Sequence, residues 1–200
     1  MVTVKKAVEL EDIREDLSEI FVTNHFNLFS FLFKEKDKEA KKQKTKEALF
    51  KAFLHAFSLE NFYVALGEEQ AIGMLGISDN KKRAMTLEPK EFKKCLGGKG
   101  KLCYEKVKHL SYPISHYADD TAFLEEIEIL EEFKDQNAEE ELINYAVSNT
   151  PYKIYITEIF GDQEELYKVY KKCGFVEIER HLISDGGKQR YSVILKKVKK

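Results

Sequence analysis

Hydrophobic positions along the 200 residues change period several times, and those changes outline the fold. Residues 3–8 read as a short first strand. From Ile13 onward, Leu17, Ile20, Phe21, Leu28, Phe31 and Leu32 recur at three- and four-residue steps, which predicts one helix on the first face, with Phe26, Phe29 and Phe33 on another. Between Phe21 and Phe57 lie eight of the fourteen Phe, suited to a core or to an aromatic wall for an acceptor or partner. Lys34 to Lys46 holds seven lysines and three acids with no apolar face, an exposed helix or loop; Phe50, Phe53, Leu54 and Phe57 then resume helical spacing.

The run from Phe62 to Ile77 predicts two strands about a Gly67-Glu68-Glu69 turn, with glycines permitting close backbone approach. Short helices at 91–96 and 102–110 surround Gly97-Gly98-Lys99-Gly100, a turn that lacks the strand-loop-helix setting of a P-loop. The pattern then gives a strand at 122–130, a helix at 139–148, a strand at 152–160 and a helix at 163–173 stopped by Gly174 in a left-handed conformation. A hairpin of 175–183 and 191–198 around Ser184-Asp185-Gly186-Gly187-Lys188 closes the chain. No repeat or linker divides this order, which predicts a single mixed α/β domain over residues 1–200.

Charge matters only locally. The 33 Lys+Arg and 35 Asp+Glu leave a formal net charge of -2, without the basic field of a general nucleic-acid binder. Ten basic residues against three acids occupy Lys81 to Lys108, whereas Glu125 to Glu141 holds nine acids and one base. Cys95, Cys103 and Cys173 lack zinc-site spacing and read as reduced thiols. Histidines 25, 55, 109, 116 and 181 lack HExxH-like spacing, so no metal is expected and a structural or surface role is the default. Met1 to Lys6 has no signal-peptide h-region, and no run nears about 20 apolar residues, so a cytoplasmic protein away from membranes is expected.

The element order and three runs resemble the GNAT superfamily of acyl-CoA-dependent N-acetyltransferases. The runs are the hairpin Tyr63 to Ser78, the stretch Leu124 to Leu142, and Tyr170-Lys171-Lys172-Cys173-Gly174-Phe175. The resemblance spans most of the chain and implies a mixed, mostly antiparallel central sheet flanked by helices, with an insertion at about 80–120 between the third and fourth strands, as in some bacterial members. It implies transfer of acetyl from acetyl-CoA, as co-substrate, to a primary amine by direct attack, without metal. Tyr170 takes the position of the family's general acid to the departing thiolate; simple packing beside Leu166 is the alternative. Glu125 is the first candidate base and Glu128 the second. The backbones of Ile127 and Ile129 are expected to pair with the pantetheine amides.

The family's phosphate loop, Arg/Gln-x-x-Gly-x-Gly/Ala ahead of a helix, maps here onto Lys134, Gln136, Asn137, Ala138 and Glu139. Lys134 stands at the basic position, Asn137 at the first glycine and Glu139 at the second. Asn tolerates the left-handed conformation, so the turn is expected to survive. Glu139, Glu140 and Glu141, however, stand where a helix N-terminus receives pyrophosphate. The resemblance implies a small-molecule or protein amine as acceptor, and a homodimer through the Phe-rich helices or a strand edge is also open. The competing reading is a non-catalytic GNAT-like binding module that has lost or weakened CoA binding.

Overall fold

The structure, a computed structural model, describes residues 2–34, 37–111, 118–185 and 188–199. Its strands are β1 (Val2–Lys6), β2 (Phe62–Gly67), β3 (Gln70–Ser78), β4 (Thr121–Ile129), β5 (Ile154–Phe160), β6 (Val176–Asp185) and β7 (Lys188–Val198). They form one seven-stranded sheet in the order β1-β2-β3-β4-β5-β7-β6. Every neighbouring pair is antiparallel except β4 and β5. Glu68 and Glu69, both at positive φ, make the tight β2–β3 turn. β2 is buried on both faces: Phe62, Val64 and Leu66 enter one core, Tyr63 and Ala65 the other.

Helices α1 (Ile13–Asn24), α2 (Phe26–Phe29), α3 (Glu39–Phe53), α4 (Pro89–Leu96) and α5 (Gly100–Val107) contribute to the first core. Helices α6 (Ala138–Ser148) and α7 (Glu164–Lys172) contribute to the second. The helix expected to run on from Ile13 to Leu32 ends at Asn24; α2 and a 3-10 turn at Ser30–Leu32 follow. The Asn24 amide donates to the Glu128 carboxylate at 2.7 Å and the Ile129 carbonyl at 3.0 Å, tying the end of α1 to β4. After the break, Phe29 and Leu32 are buried in the core, while Phe26 and Leu28 remain partly exposed.

The basic segment between β3 and β4 is woven into the first core. Phe92 of α4 packs edge-on against Phe53 of α3 at 5.1 Å, and Cys103 and Val107 of α5 are buried beside them. A Cβ on Gly100 would lie 2.2 Å from the Phe92 carbonyl oxygen, so the last glycine of Gly-Gly-Lys-Gly serves the close approach of α5 to α4. His116 and the turn at 186–187 fall outside the described residues. At the far edge of the sheet, β6 exposes Val176, Ile178 and Leu182. Among the described residues, no helix is long and apolar enough to cross a membrane.

The glycines of β3 let β4 lie close. A Cβ on Gly73 would sit 2.1 Å from Ile129 Cδ1 and 2.8 Å from the Glu128 carbonyl oxygen. Gly73→Ala is expected to destabilise the fold by about 1–3 kcal/mol, read as a lower urea midpoint with an unchanged slope. Gly98→Ala, where a Cβ meets nothing within 4 Å, should stay within about 0.5 kcal/mol of the parent.

Candidate active site

β4 and β5 pair only at Thr121–Ile154, Ala122–Tyr155 and Phe123–Ile156. Beyond those residues each strand continues, β4 to Ile129 along β3 and β5 to Phe160 along β7, without pairing to the other. The sheet is therefore split, with β4 residues 124–129 facing one side of the opening and β5 residues 157–160 the other. Backbone donors and acceptors along such a split can take an extended amide-bearing ligand as a sheet edge takes a strand.

A bulge shapes the β4 side. Gly76 is paired with Glu125 and Met74 with Glu128, so three steps on β4 answer two on β3. Glu126 absorbs the extra residue at φ 52, in the left-handed region. Before the bulge Leu124 enters the second core; after it Ile129 is buried in that core and Ile127 packs against it. Their side chains serve packing, while their backbone borders the split.

On the opposite face, the bulge and the end of α1 bring three polar side chains together. His25 Nε2 lies 2.8 Å from Glu128 Oε1 and 3.8 Å from Glu126 Oε2. The Glu126 side chain is 9% exposed, and burial, reinforced by Glu128 and Glu125, pushes its carboxyl up to about 8 against the pull of His25. Burial opposes the charge on His25, but the close Glu128 carboxylate and the more distant Glu126 raise its pKa above the ordinary value. Phe21 packs on the imidazole at 4.5 Å. A groove of about 540 Å³ opens nearby between α1, α2 and α3, lined by Thr23, Phe26, Phe33, Lys42 and Lys46 among others.

Glu125, ranked first as a base from sequence, is held elsewhere. It accepts a short hydrogen bond from the Ser78 hydroxyl and pairs with Arg83 at 2.8 Å. Burial raises its pKa, with Arg83 and Ser78 opposing. The acids assembled at His25 are Glu128, the second choice, and Glu126, which sequence reasoning missed. The signal available was Glu125-Glu126-Ile127-Glu128-Ile129: two adjacent acids break the alternation of a regular strand.

Tyr170 is fully buried on α7, edge-on to Phe175 at 5.0 Å. Thr157, the first β5 residue past the paired stretch, donates to the phenol oxygen at 3.4 Å. Burial drives the phenol pKa well above its usual value, so it holds its proton. The helix stop at Gly174 forms as expected, at φ 86.

At the other end of the split, Asn137 takes φ 57 and ψ 25, so the left-handed turn persists without glycine. Ala138 is buried at the first position of α6. Burial raises the pKa of Glu139, opposed by its own backbone N–H, which donates to its carboxylate, and by Lys134. Lys134 forms a close ion pair with Glu131, and Glu140 pairs with Lys172 of α7. Gln136 lines a cleft of about 570 Å³ with Val2, Gly67 and Phe133.

This split sheet, with helices on both faces, defines the GNAT fold. It is shared over nearly the whole chain with a GNAT-family acetyltransferase of Bacillus cereus ATCC 10987, at 13% identity and TM-score 0.56, covering 100% of this chain and 99% of that one. An N-acetyltransferase of Staphylococcus aureus Mu50 is 15% identical with TM-score 0.58 over 96% and 99% of the two chains. A Bacillus subtilis acetyltransferase, solved with CoA, is 11% identical with TM-score 0.52 and full coverage of both. At these identities the likeness establishes a common fold. No family model matches the sequence, and no curated protein matches it.

Glu126 and His25 act on stability with the same sign, as does Glu125, whose carboxyl is also raised by burial. A carboxyl raised in the folded state keeps a proton that the unfolded chain has lost, so its contribution falls as pH climbs from the unfolded value toward about 8. An imidazolium stabilised by folding likewise loses its contribution as pH rises through its folded pKa. In EDTA-treated protein, the urea midpoint is expected to drop between pH 5 and 8. Glu126→Gln should shrink the matching fall in unfolding free energy by an amount on the order of a few kcal/mol; an equal fall in the variant would show that Glu126 titrates normally.

Proposed function

We propose that the chain is an N-acetyltransferase that moves the acetyl group of acetyl-CoA to a primary amine by direct attack. The observation that carries this reading is the split between β4 and β5 with buried carboxylates on its β4 side. Pantetheine lies in the split, its amides bonded to the backbone of Ile127 and Ile129. The pyrophosphate approaches the turn at Lys134, Gln136, Asn137, Ala138 and Glu139. Glu126, set by the bulge and free of the Arg83 pair that holds Glu125, takes a proton from the bound ammonium in its ionised form, which its carboxyl, pushed up to about 8, reaches as pH rises toward that value. The freed nitrogen pair attacks the thioester carbonyl, the C–S bond breaks, and the thiolate leaves. Tyr170, whose proton burial retains and which lies against Thr157 at the apex of the split, donates to that thiolate, and the second proton that the nitrogen sheds as the amide forms passes through water to restore the phenol. The carboxylates at the bulge favour the cationic amino group of the acceptor, a small amine or a protein amine, while the groove along α1 and α3, with Phe26, Phe33, Lys42 and Lys46 in its lining, suits an apolar or anionic body.

One observation favours a second reading, a GNAT-like module without catalysis. Glu139, Glu140 and Glu141 crowd the N-terminus of α6, where the diphosphate must bind. Calorimetric titration with acetyl-CoA at low and moderate salt separates the two: no heat and no thermal stabilisation at millimolar ligand would leave only the module. With binding established, Glu139→Gly is expected to tighten acetyl-CoA by roughly two- to fivefold. Glu126→Gln should lower turnover by about 100- to 10,000-fold, and Tyr170→Phe should lower turnover more than affinity. Full activity in Glu126→Gln would remove that residue from the base role.

A further inference from the structure

We infer that His25, Glu126 and Glu128 form a binding site for a divalent transition-metal ion, with zinc the best match to one imidazole and two carboxylates. The sequence spacing gave no hint of it, because the imidazole comes from the end of α1 and the acids from β4. One ligand atom from each residue can be chosen so that all three lie within 4.8 Å of one another. In a tetrahedral zinc site with bonds of about 2.0–2.2 Å, donor atoms stand roughly 3.3–3.6 Å apart. The separations of 2.8 Å and 3.8 Å from His25 Nε2 bracket that spacing, and the two carboxylates lie within the same 4.8 Å limit.

Two further observations point to a ligand rather than to a simple ion pair. Glu126 is more than nine-tenths buried, and its contact to His25 is too long for a hydrogen bond. His25 Nε2 is itself buried without an in-line hydrogen bond, although Glu128 Oε1 is 2.8 Å away. Asn24 donates to the other Glu128 oxygen, Oε2, and thereby fixes which oxygen faces His25, as outer partners do for monodentate metal ligands. His25 and Glu128 keep 28% and 19% of their side chains in solvent, which leaves access for the ion and an open coordination position.

This site uses the cluster assigned above to acceptor deprotonation but does not depend on acetyl transfer. A metal ion and an ammonium would compete for the same carboxylates. The test is zinc titration of the full chain by calorimetry and thermal shift, without CoA or amine, so that its failure is separate from failure of the acetyltransferase reading. Saturable one-to-one binding is expected. His25→Asn, Glu126→Gln and Glu128→Gln should each weaken it at least tenfold, and Asn24→Ala by about 10- to 100-fold. Circular dichroism and urea unfolding check that each variant folds, and Asn24→Ala tests the site without removing a ligand. Replacing His181, which pairs with Glu179 on the surface at 3.0 Å, should change nothing. Absence of binding up to on the order of 1 mM zinc, or binding lost in Cys95→Ser and retained in the ligand variants, overturns the site.

Discussion

One extra residue in β4 governs the centre of this molecule. Because β3 cannot pair with it, Glu126 is forced into the left-handed region, at a cost of about 1–2 kcal/mol for a residue with a side chain. In exchange, apolar side chains reach the second core on either side of the irregularity, at Leu124 and again at Ile127 and Ile129. Without the bulge, a strict two-residue period would send one of those groups to the wrong face. The face opposite then receives the acids, and the end of α1 closes over them through Asn24 and His25. Backbone strain, a buried carboxyl and a helix break more than a hundred positions away in sequence meet within a few ångströms in space, which is where a fold concentrates function rather than stability.

The turn ahead of α6 shows how geometry and electrostatics separate. Asn137 preserves the left-handed backbone that glycine ordinarily supplies, so the loop shape survives substitution. Its charge does not: the acids occupy the positive end of the helix, and both nearby lysines are engaged, Lys134 with Glu131 and Lys172 with Glu140. A polyanion arriving here must displace ion pairs as well as water. Such surface pairs are individually worth only about 0–1 kcal/mol, a small barrier to rearrangement.

Most elements were legible in the sequence because their periods were clean. The strands about Glu68-Glu69 and the helix ended by Gly174 arise from local pattern plus turn chemistry, and the paired strands of the last hairpin from local pattern. The long helix from Ile13 was misread past Asn24, since its break depends on hydrogen bonds to β4, more than a hundred positions away. The same distance hid the cluster at His25. Glu125 and Glu126 are chemically identical neighbours, distinguished by Arg83 and Ser78 on one side and by His25 and the left-handed backbone on the other. Tyr170 was readable from its place before Cys173-Gly174-Phe175, but its contact with Thr157 came from the packing of α7 under β5.

The divergence of β4 from β5 has a consequence for solubility. Unpaired strand edges at the rim of a sheet invite other chains to add to them. Here the open edges face each other in the interior of the sheet, between two helical layers, so a slender ligand fits where another protein's sheet does not. Backbone groups along the split are thus turned inward, away from the self-association that the same groups would promote on the outside.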